Sequence, residues 1–386
     1  MELVLNEDQE LIAKTAFDFV QERSPVSRFR ALRDSGEPLG YSKALYREMA
    51  ELGWVGIPFD EKQGGAGMGL AELALIVEAL GRTLAPEPFL GGIAMGGMAL
   101  ALGADAATCE AWLPGIIDGS KVVALAHQEA GVRYDLLSVS TQAVSASDAS
   151  DASDAYTLSG EKVQVLDALG ADAVIVPART AGEAGDAEGI TLFLVEADAA
   201  GLSIDRQSRV DHRNAAIVRL DGVACGTASI LGALGAGGAL LEQVIDRATV
   251  VLCAEMVGGM SEAFDLTLDY LKTREQFGVK IGSFQALQHR VAAVYMEIEL
   301  ARSSLMAAAR AVDAGAADAQ RLVSLAKARC SDAYVLATNE GVQIFGGVGM
   351  TDEYDIGFYL KRARAAEQTF GDAAFHRDRW ARLGSY

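Results

Sequence analysis

Arg274-Glu-Gln-Phe-Gly278, followed by Ile281-Gly-Ser-Phe284-Gln285, places a fixed cation, an aromatic and side-chain amides around the end of one helix and the turn after it. A guanidinium is always charged and grips two oxygens at once, which suits a diphosphate. Phe277 and the amides of Gln276 and Gln285 suit the rings that flank one. The chemistry to which this spacing points is dinucleotide binding. Taken alone, Arg274 would read as a surface ion pair with a nearby acid such as Asp269.

Those residues need one long helix to end at Arg274 and another to start near Gln285. Leu240 to Thr273 is a long amphipathic stretch, Phe284 to Asp313 a second and Asp318 to Gly341 a third. Gly346-Gly-Val-Gly349 then breaks the chain before a last segment from Ile356 to Leu383. Long helices joined by short turns predict an antiparallel bundle over residues 229–386. Residues 1–122 read as a second helical region. Asn6-Glu-Asp8 is a plausible N-cap, Leu45, Met49 and Leu52 make an apolar stripe, and Leu70 to Leu84 stops at Ala85-Pro-Glu-Pro88. The glycine run Gln63 to Gly69 reads as a turn, since no strand precedes it and no Lys-Ser/Thr follows.

Between these regions, residues 123–228 change to short β-branched runs: Val122 to Ala126, Leu137 to Val144, Ala173 to Pro177, Ile190 to Val195 and Ala216 to Leu220. No helical crossovers separate them, so an antiparallel sheet or barrel is expected. The low-complexity stretch Ser145 to Asp154 reads as a solvated hairpin extension.

Composition removes whole classes of function. At 386 residues, two or three domains are expected. A formal charge of −20 with no basic stripe argues against nucleic acid. No apolar run reaches membrane-spanning length, and the acidic start lacks the pattern of a signal peptide, so a cytoplasmic protein is expected. Cys109, Cys225, Cys253 and Cys330 lack metal spacing, as do His127, His212, His289 and His376. Reduced thiols and no metal site are expected.

The order helical domain, β domain, four-helix bundle resembles the acyl-CoA dehydrogenases. Trp112-Leu-Pro114 with Asp118-Gly-Ser-Lys121, Leu84-Ala-Pro-Glu-Pro-Phe89, Arg274-x-Gln-Phe-Gly278 with Phe284-Gln-x-x-Gln-His289, and Gln343-Ile-Phe-Gly-Gly-Val-Gly349 carry the resemblance over nearly the whole chain. It is nearest to the small subunit of pimeloyl-CoA dehydrogenase and related subunits that work as unequal pairs. The resemblance implies an α+β fold, with FAD lying between two subunits. Arg274 would reach the diphosphate of a neighbour's FAD, Phe277 would stand beside that cofactor, and Gln285 would supply an amide. Gln276, Ile281 and Phe284 belong to the same segment. Gln343, Ile344, Gly346 and Gly347 would bring main chain to the adenosine end, where only glycine permits the approach.

The chain departs from the family elsewhere. A typical member carries Thr-Glu-Pro-Gly-Ala-Gly-Ser after the first strand, where this chain has His127-Gln-Glu-Ala-Gly131. In Lys162-Val-Gln-Val-Leu-Asp167, Gln164 stands at the position of a tryptophan near the flavin and Leu166 at that of a threonine bonded to its ring. Leucine has no hydroxyl to offer. The family reaction removes a proton α to a thioester while the β-hydrogen leaves as hydride, and it needs a carboxylate of raised pKa opposite the flavin. The two positions that supply it hold Ala248 and Phe370, so the base is unassigned. Asp246, Glu255 and Asp372 are the nearby acids. Glu255 shares a helical face with Ala248 but lies roughly 10 Å along the axis, and Asp372 in a helix would point away from Phe370.

These residues predict a subunit that completes the FAD site of a homologous catalytic partner in an α2β2 assembly, acting on an acyl-CoA with an electron-transfer flavoprotein as acceptor. A homo-oligomeric dehydrogenase with a displaced base, or a flavin-free binding protein, are the alternatives.

Overall fold

The computed structural model describes residues 4–145 and 155–386, so the Ser/Asp repeat beyond Ser145 lies outside the described residues. Helices α1 (Glu7–Arg23), α2 (Val26–Ser35), α3 (Lys43–Glu51) and α4 (Leu70–Arg82) come first, then a fully buried π-helical stretch Phe89–Gly97, α5 (Met98–Gly103) and α6 (Ala106–Ile117). Eight strands follow: β1 (Val123–Leu125), β2 (Gln142–Ser145), β3 (Ala155–Leu166), β4 (Ala173–Arg179), β5 (Ile190–Glu196), β6 (Leu202–Arg206), β7 (Ala215–Gly226) and β8 (Ile230–Leu231). The chain ends with α7 (Gly237–Thr273), a hairpin of β9 (Glu275–Gln276) and β10 (Val279–Lys280), α8 (Gln285–Asp313), α9 (Ala319–Phe345), α10 (Ile356–Gln368) and α11 (Ala373–Leu383). It divides into two compact units, one of the chain up to Asp34, Gly69–Ala85 and Thr249–Tyr386, the other of Ser35–Met68 and Pro86–Ala248.

In the second unit the strands run in the order β6-β7-β3-β2-β4-β5-β8, with β1 against β4. Most pairs are antiparallel as expected, but β1 joins β4 in parallel, and β2 meets β4 in parallel at Gln142 and Arg179. Every residue of β4 is buried, which explains its unbroken apolar run. The strand expected from Leu137 begins only at Gln142. The reason is Arg179, 2% exposed, whose guanidinium donates to the carbonyls of Leu137 (2.5 Å), Val139 (3.3 Å), Asp186 (3.0 Å) and Glu188 (2.7 Å). Those carbonyls serve a side chain instead of a ladder. Strands β3 and β6 lie outside the expected set because Gly160, Glu161, Lys162 and Gln164, and the mostly exposed β6, do not read as apolar runs.

In the first unit the bundle forms as the helical periodicity predicts, with the last segment split into α10 and α11. The N-cap at Asn6 is a full capping box: its side chain accepts from Gln9 N at 2.8 Å, and Gln9 Oε1 accepts from Asn6 N at 3.2 Å. Helix α4 borrows its cap from the end of α8, where Asp313 accepts from Leu70 N (2.8 Å) and Ala71 N (3.1 Å). Helices α4 and α7 touch backbone to backbone. A Cβ at Gly258 would sit 1.9 Å from the Glu78 carbonyl oxygen, and one at Gly81 would sit 2.3 Å from that of Glu255. Gly258→Ala therefore should destabilise the protein by about 2 kcal/mol through overpacking, read as a drop in urea midpoint. An unchanged midpoint would mean the two helices separate freely.

Among the described residues, no helix is long and apolar enough to cross a membrane. The four cysteines are free thiols.

Candidate cofactor site

Helix α7 ends at Thr273, and its last turn is closed by Arg274 N bonding to Tyr270 O at 2.8 Å. The chain reverses through the β9–β10 hairpin and is tied off where Ile281 N meets Arg274 O at 2.9 Å. Beneath it, Leu271, Ile281 and Ile344 form a buried apolar cluster against which Leu268, Tyr270, Leu287 and Val291 pack. This cluster joins the end of α7, the start of α8 and the end of α9, so segments about 70 residues apart in sequence meet because they share one core. Ile281 and Ile344 are turned into that core, and their part is to hold the segments together.

Above the cluster the polar groups face outward. Arg274, Gln276, Gln285 and Gln343 are exposed. Asp269, the alternative partner for Arg274, bonds Lys272 at 3.5 Å instead. Among the described residues the Arg274 guanidinium has no acceptor. Gly346 (φ 67°) and Gly347 have nothing within 4 Å of where a Cβ would stand, so their main chain is open to a ligand.

The hairpin tip is strained. Phe277 (φ 57°) and Gly278 (φ 81°) both lie in the left-handed region, as a tight hairpin turn requires. Glycine does this freely, whereas a bulky residue rarely does. Phe277 is also 91% exposed, with only an edge contact to Phe284 at 6.3 Å. Among the described residues that edge contact is all the ring makes, so Phe277→Asn is expected to stabilise the lone chain by about 1 kcal/mol in urea unfolding, by relief of strain. A loss of stability would show that the ring serves the chain's own packing. Next to the hairpin, α7 and α8 leave an apolar groove of about 340 Å³ lined by Phe264, Leu268, Leu271, Val291 and Tyr295.

The ring positions in the β domain look different. Gln164 sits in a bulge between Lys162 and Val165 with φ 56°. Its backbone N–H donates to Gln207 Oε1 at 2.7 Å, and its side-chain oxygen accepts from Arg209 Nη1 at 2.7 Å. Arg209 is held in turn by Asp211 at 3.1 Å. Leu166 is buried in β3 opposite Ala215. Close by, Glu129 accepts five hydrogen bonds. Lys162 Nζ (2.6 Å), Thr141 N (3.0 Å) and Thr141 Oγ1 (2.7 Å) reach Oε1, while Ser140 N (2.9 Å) and Ser140 Oγ reach Oε2. Burial alone would raise the Glu129 pKa, but Lys162 and these donors bring it down to about 2. The sequence reading missed both networks. The signal for the second was a buried-strand lysine that needs a counter-ion.

The acids weighed as bases are committed elsewhere or set apart. Glu255 is paired with Arg362 at 2.9 Å, both side chains nearly buried. Asp372 does not continue a helix from Phe370, contrary to the helical expectation. The chain breaks at Phe370 (φ 62°) and Gly371 (φ 118°), and Asp372 caps α11 by accepting from Phe375 N at 2.8 Å. That break is pinned by buried Lys327, which donates to Ser331 Oγ (3.1 Å), Glu367 O (3.0 Å) and Gly371 O (2.7 Å). His376 Nε2 bonds Phe370 O at 3.1 Å. Asp246 is buried on α7. Among the described residues no cluster of three or more His, Cys, Asp or Glu side chains could hold a metal.

Family models of acyl-CoA dehydrogenases match three stretches: the N-terminal domain residues 6–120, the middle domain 124–222 and the C-terminal domain 235–384. Acyl-CoA dehydrogenase IpdE2 of Mycobacterium tuberculosis is 30% identical over 365 residues, covering 94% of this chain and 92% of the relative. Mitochondrial isovaleryl-CoA dehydrogenase of Pongo abelii is 28% identical, over 97% of this chain and 88% of that one. Among solved structures, a Tcur3481-Tcur3483 steroid ACAD variant is similar with a TM-score of 0.85 and 31% identity, covering 98% of each chain. The ChsE4-ChsE5 complex from Mycobacterium tuberculosis shares the fold at a TM-score of 0.88 and 24% identity, over 100% of this chain and 99% of that one.

Proposed function

The chain belongs to the acyl-CoA dehydrogenase family, and from that premise we propose that it is the non-catalytic member of an α2β2 assembly. It completes the FAD site of a homologous subunit, which carries out α,β-dehydrogenation of an acyl-CoA thioester. The observation that carries this reading is an exposed guanidinium with no acceptor among the described residues, standing over a core joined by Ile344, two residues before the open Gly346–Gly347 pair. Arg274 would grip the diphosphate, Gln276, Gln285 and Gln343 would supply amides, and Phe277 and Phe284 would meet a ring. Gly346 and Gly347 would admit the adenosine end against main chain. FAD, when bound, supplies the acceptor for the substrate's hydride.

The positions that would form the other half of a catalytic centre hold other residues in this reading. Gln164 is engaged by Gln207 and Arg209, Leu166 offers no hydroxyl, and Ala248 and Phe370 carry no carboxylate. Glu255 is neutralised by Arg362 and Asp372 is used as a cap. A buried, ion-paired carboxylate is a poor general base, because its cationic partner lowers its affinity for a proton and occupies the oxygen that would take it. A flavin-free scaffold would have no use for Arg274 or a strained Phe277. Exposed Tyr295, Met296 and Leu300 on α8 extend the apolar groove and suit burial by a partner subunit. The Tcur3481-Tcur3483 and ChsE4-ChsE5 structures are likewise built from two named chains.

The test is to purify the chain alone and together with a homologous acyl-CoA dehydrogenase subunit. The expected result is a colourless lone chain and an α2β2 assembly with two flavins that oxidises an acyl-CoA. A yellow homo-oligomer with one flavin per chain and turnover of its own would sink the proposal.

A further inference from the structure

The segment after Gly346–Gly347 has little regular structure of its own. It is a short 3₁₀ turn, Gly346–Met350, followed by turns up to Asp355. Two sets of contacts brace it, and both lie within one compact unit. On one side Tyr270 stacks on Phe345 at 4.3 Å, and Tyr354 closes edge-on against Phe345 at 5.1 Å. On the other side, α2 sends two arginines one turn apart onto the same loop. Arg33 grips Asp352 with both terminal nitrogens, at 2.6 and 2.8 Å. Arg30 donates to Asp352 Oδ2 (2.9 Å), Asp352 O (2.8 Å) and Asp355 Oδ1 (2.6 Å). Both guanidinium groups also lie over the Phe358 ring, at 4.5 and 4.8 Å.

A single exposed ion pair contributes little, but here five charge-assisted bonds converge on two loop residues, Asp352 and Asp355, two of them forming one bidentate grip and another going to main chain. The Arg33 guanidinium holds the Asp352 carboxyl down to about 2, so that carboxylate is ionised at neutral pH. Arg30, Arg33, Asp352 and Asp355 lie outside the motifs that point to the cofactor. They brace the loop that begins at Gly346 and Gly347, five to nine residues further along it.

We propose that Arg30 and Arg33 are positioning residues for the cofactor, setting its adenosine-end segment through Asp352 and Asp355 without touching it. This rests on the reading under Proposed function. The residues belong to the N-terminal helical region, so that region would tune cofactor affinity at a distance along a contiguous ion-pair network.

The experiment compares wild type, Arg33→Gln, Arg30→Gln/Arg33→Gln and the charge swap Arg33→Asp/Asp352→Arg, each in the assembled protein. FAD affinity is read from flavin fluorescence, and turnover at saturating FAD is measured alongside. The double variant should bind FAD about tenfold more weakly, the size expected for losing a bidentate network one step from a ligand. Turnover at saturating FAD should stay within about twofold, since no reacting group is altered. The swap should recover part of the affinity, an outcome that also serves if the double variant does not fold. Wild type without FAD sinks the functional reading itself. Wild type with FAD, and unchanged affinity in Arg33→Gln and the swap, overturns this inference alone.

Discussion

Arg274→Gln is expected to strip FAD from the assembled protein while leaving the chain folded. The side chain is exposed and bonded to nothing else among the described residues, so its removal breaks no internal contact. Its backbone still closes α7 through Tyr270 O and anchors Ile281 N, and glutamine can do both. What is lost is a bidentate, charge-assisted grip, worth about 2–3 kcal/mol, or roughly 30- to 150-fold in affinity. Arg274→Lys should recover only part, because an ammonium is a point charge without the planar fork. Flavin fluorescence on dilution measures the affinity, and thermal melting of the lone chain checks the fold. Full FAD retention by Arg274→Gln would remove the main support for the proposed function.

Glu129→Gln should give the largest loss of stability, about 3–5 kcal/mol, because it strands the fully buried Lys162 ammonium without a counter-ion. Burial already lowers the Lys162 pKa to about 8 even with Glu129 beside it. Without that partner the cheapest response is to give up the proton or to unfold locally. The double replacement Glu129→Leu/Lys162→Met should cost less than the single one, since it leaves no orphaned charge. The pH dependence follows from Glu129. Its folded pKa, about 2, lies below the ordinary carboxylate value of 4.5, so the pair's contribution is complete above about pH 4.5 and is lost as pH falls toward 2. Urea unfolding of wild type and Glu129→Gln from pH 7 to 3 should show the gap between them closing at the acid end. A constant gap would mean the carboxylate's charge is not what stabilises this site.

Much of the architecture was legible because it is written in local periodicity. The bundle helices, the N-cap at Asn6, the strands β4, β5 and β7 and the breaks at Pro86 and Gly346 all follow from neighbours a few residues apart. The exposed segment around Arg274 stands out for a related reason. Residues that do not serve the core stand out against the apolar pattern, as exposed Arg274 and Phe277 do. Contacts between distant segments were not legible. Arg179 shortens an expected strand by taking its carbonyls, Lys327 pins a turn that periodicity would have run through as helix, and Arg30 and Arg33 reach a loop about 320 residues away in sequence.

By itself, then, the sequence determined which residues are available for chemistry: Arg274 and its neighbours present, a carboxylate missing at Ala248 and Phe370. Those are facts of side-chain identity, which folding does not change. Only the tertiary structure decided which of them are free to act. Glu255 and Asp372 carry carboxylates but are held by Arg362 and by the start of α11, whereas Arg274 has no acceptor among the described residues. The physical reason is that a charged group is committed or uncommitted according to what packs within about 4 Å of it, and that distance is set by the packing of segments remote in the chain.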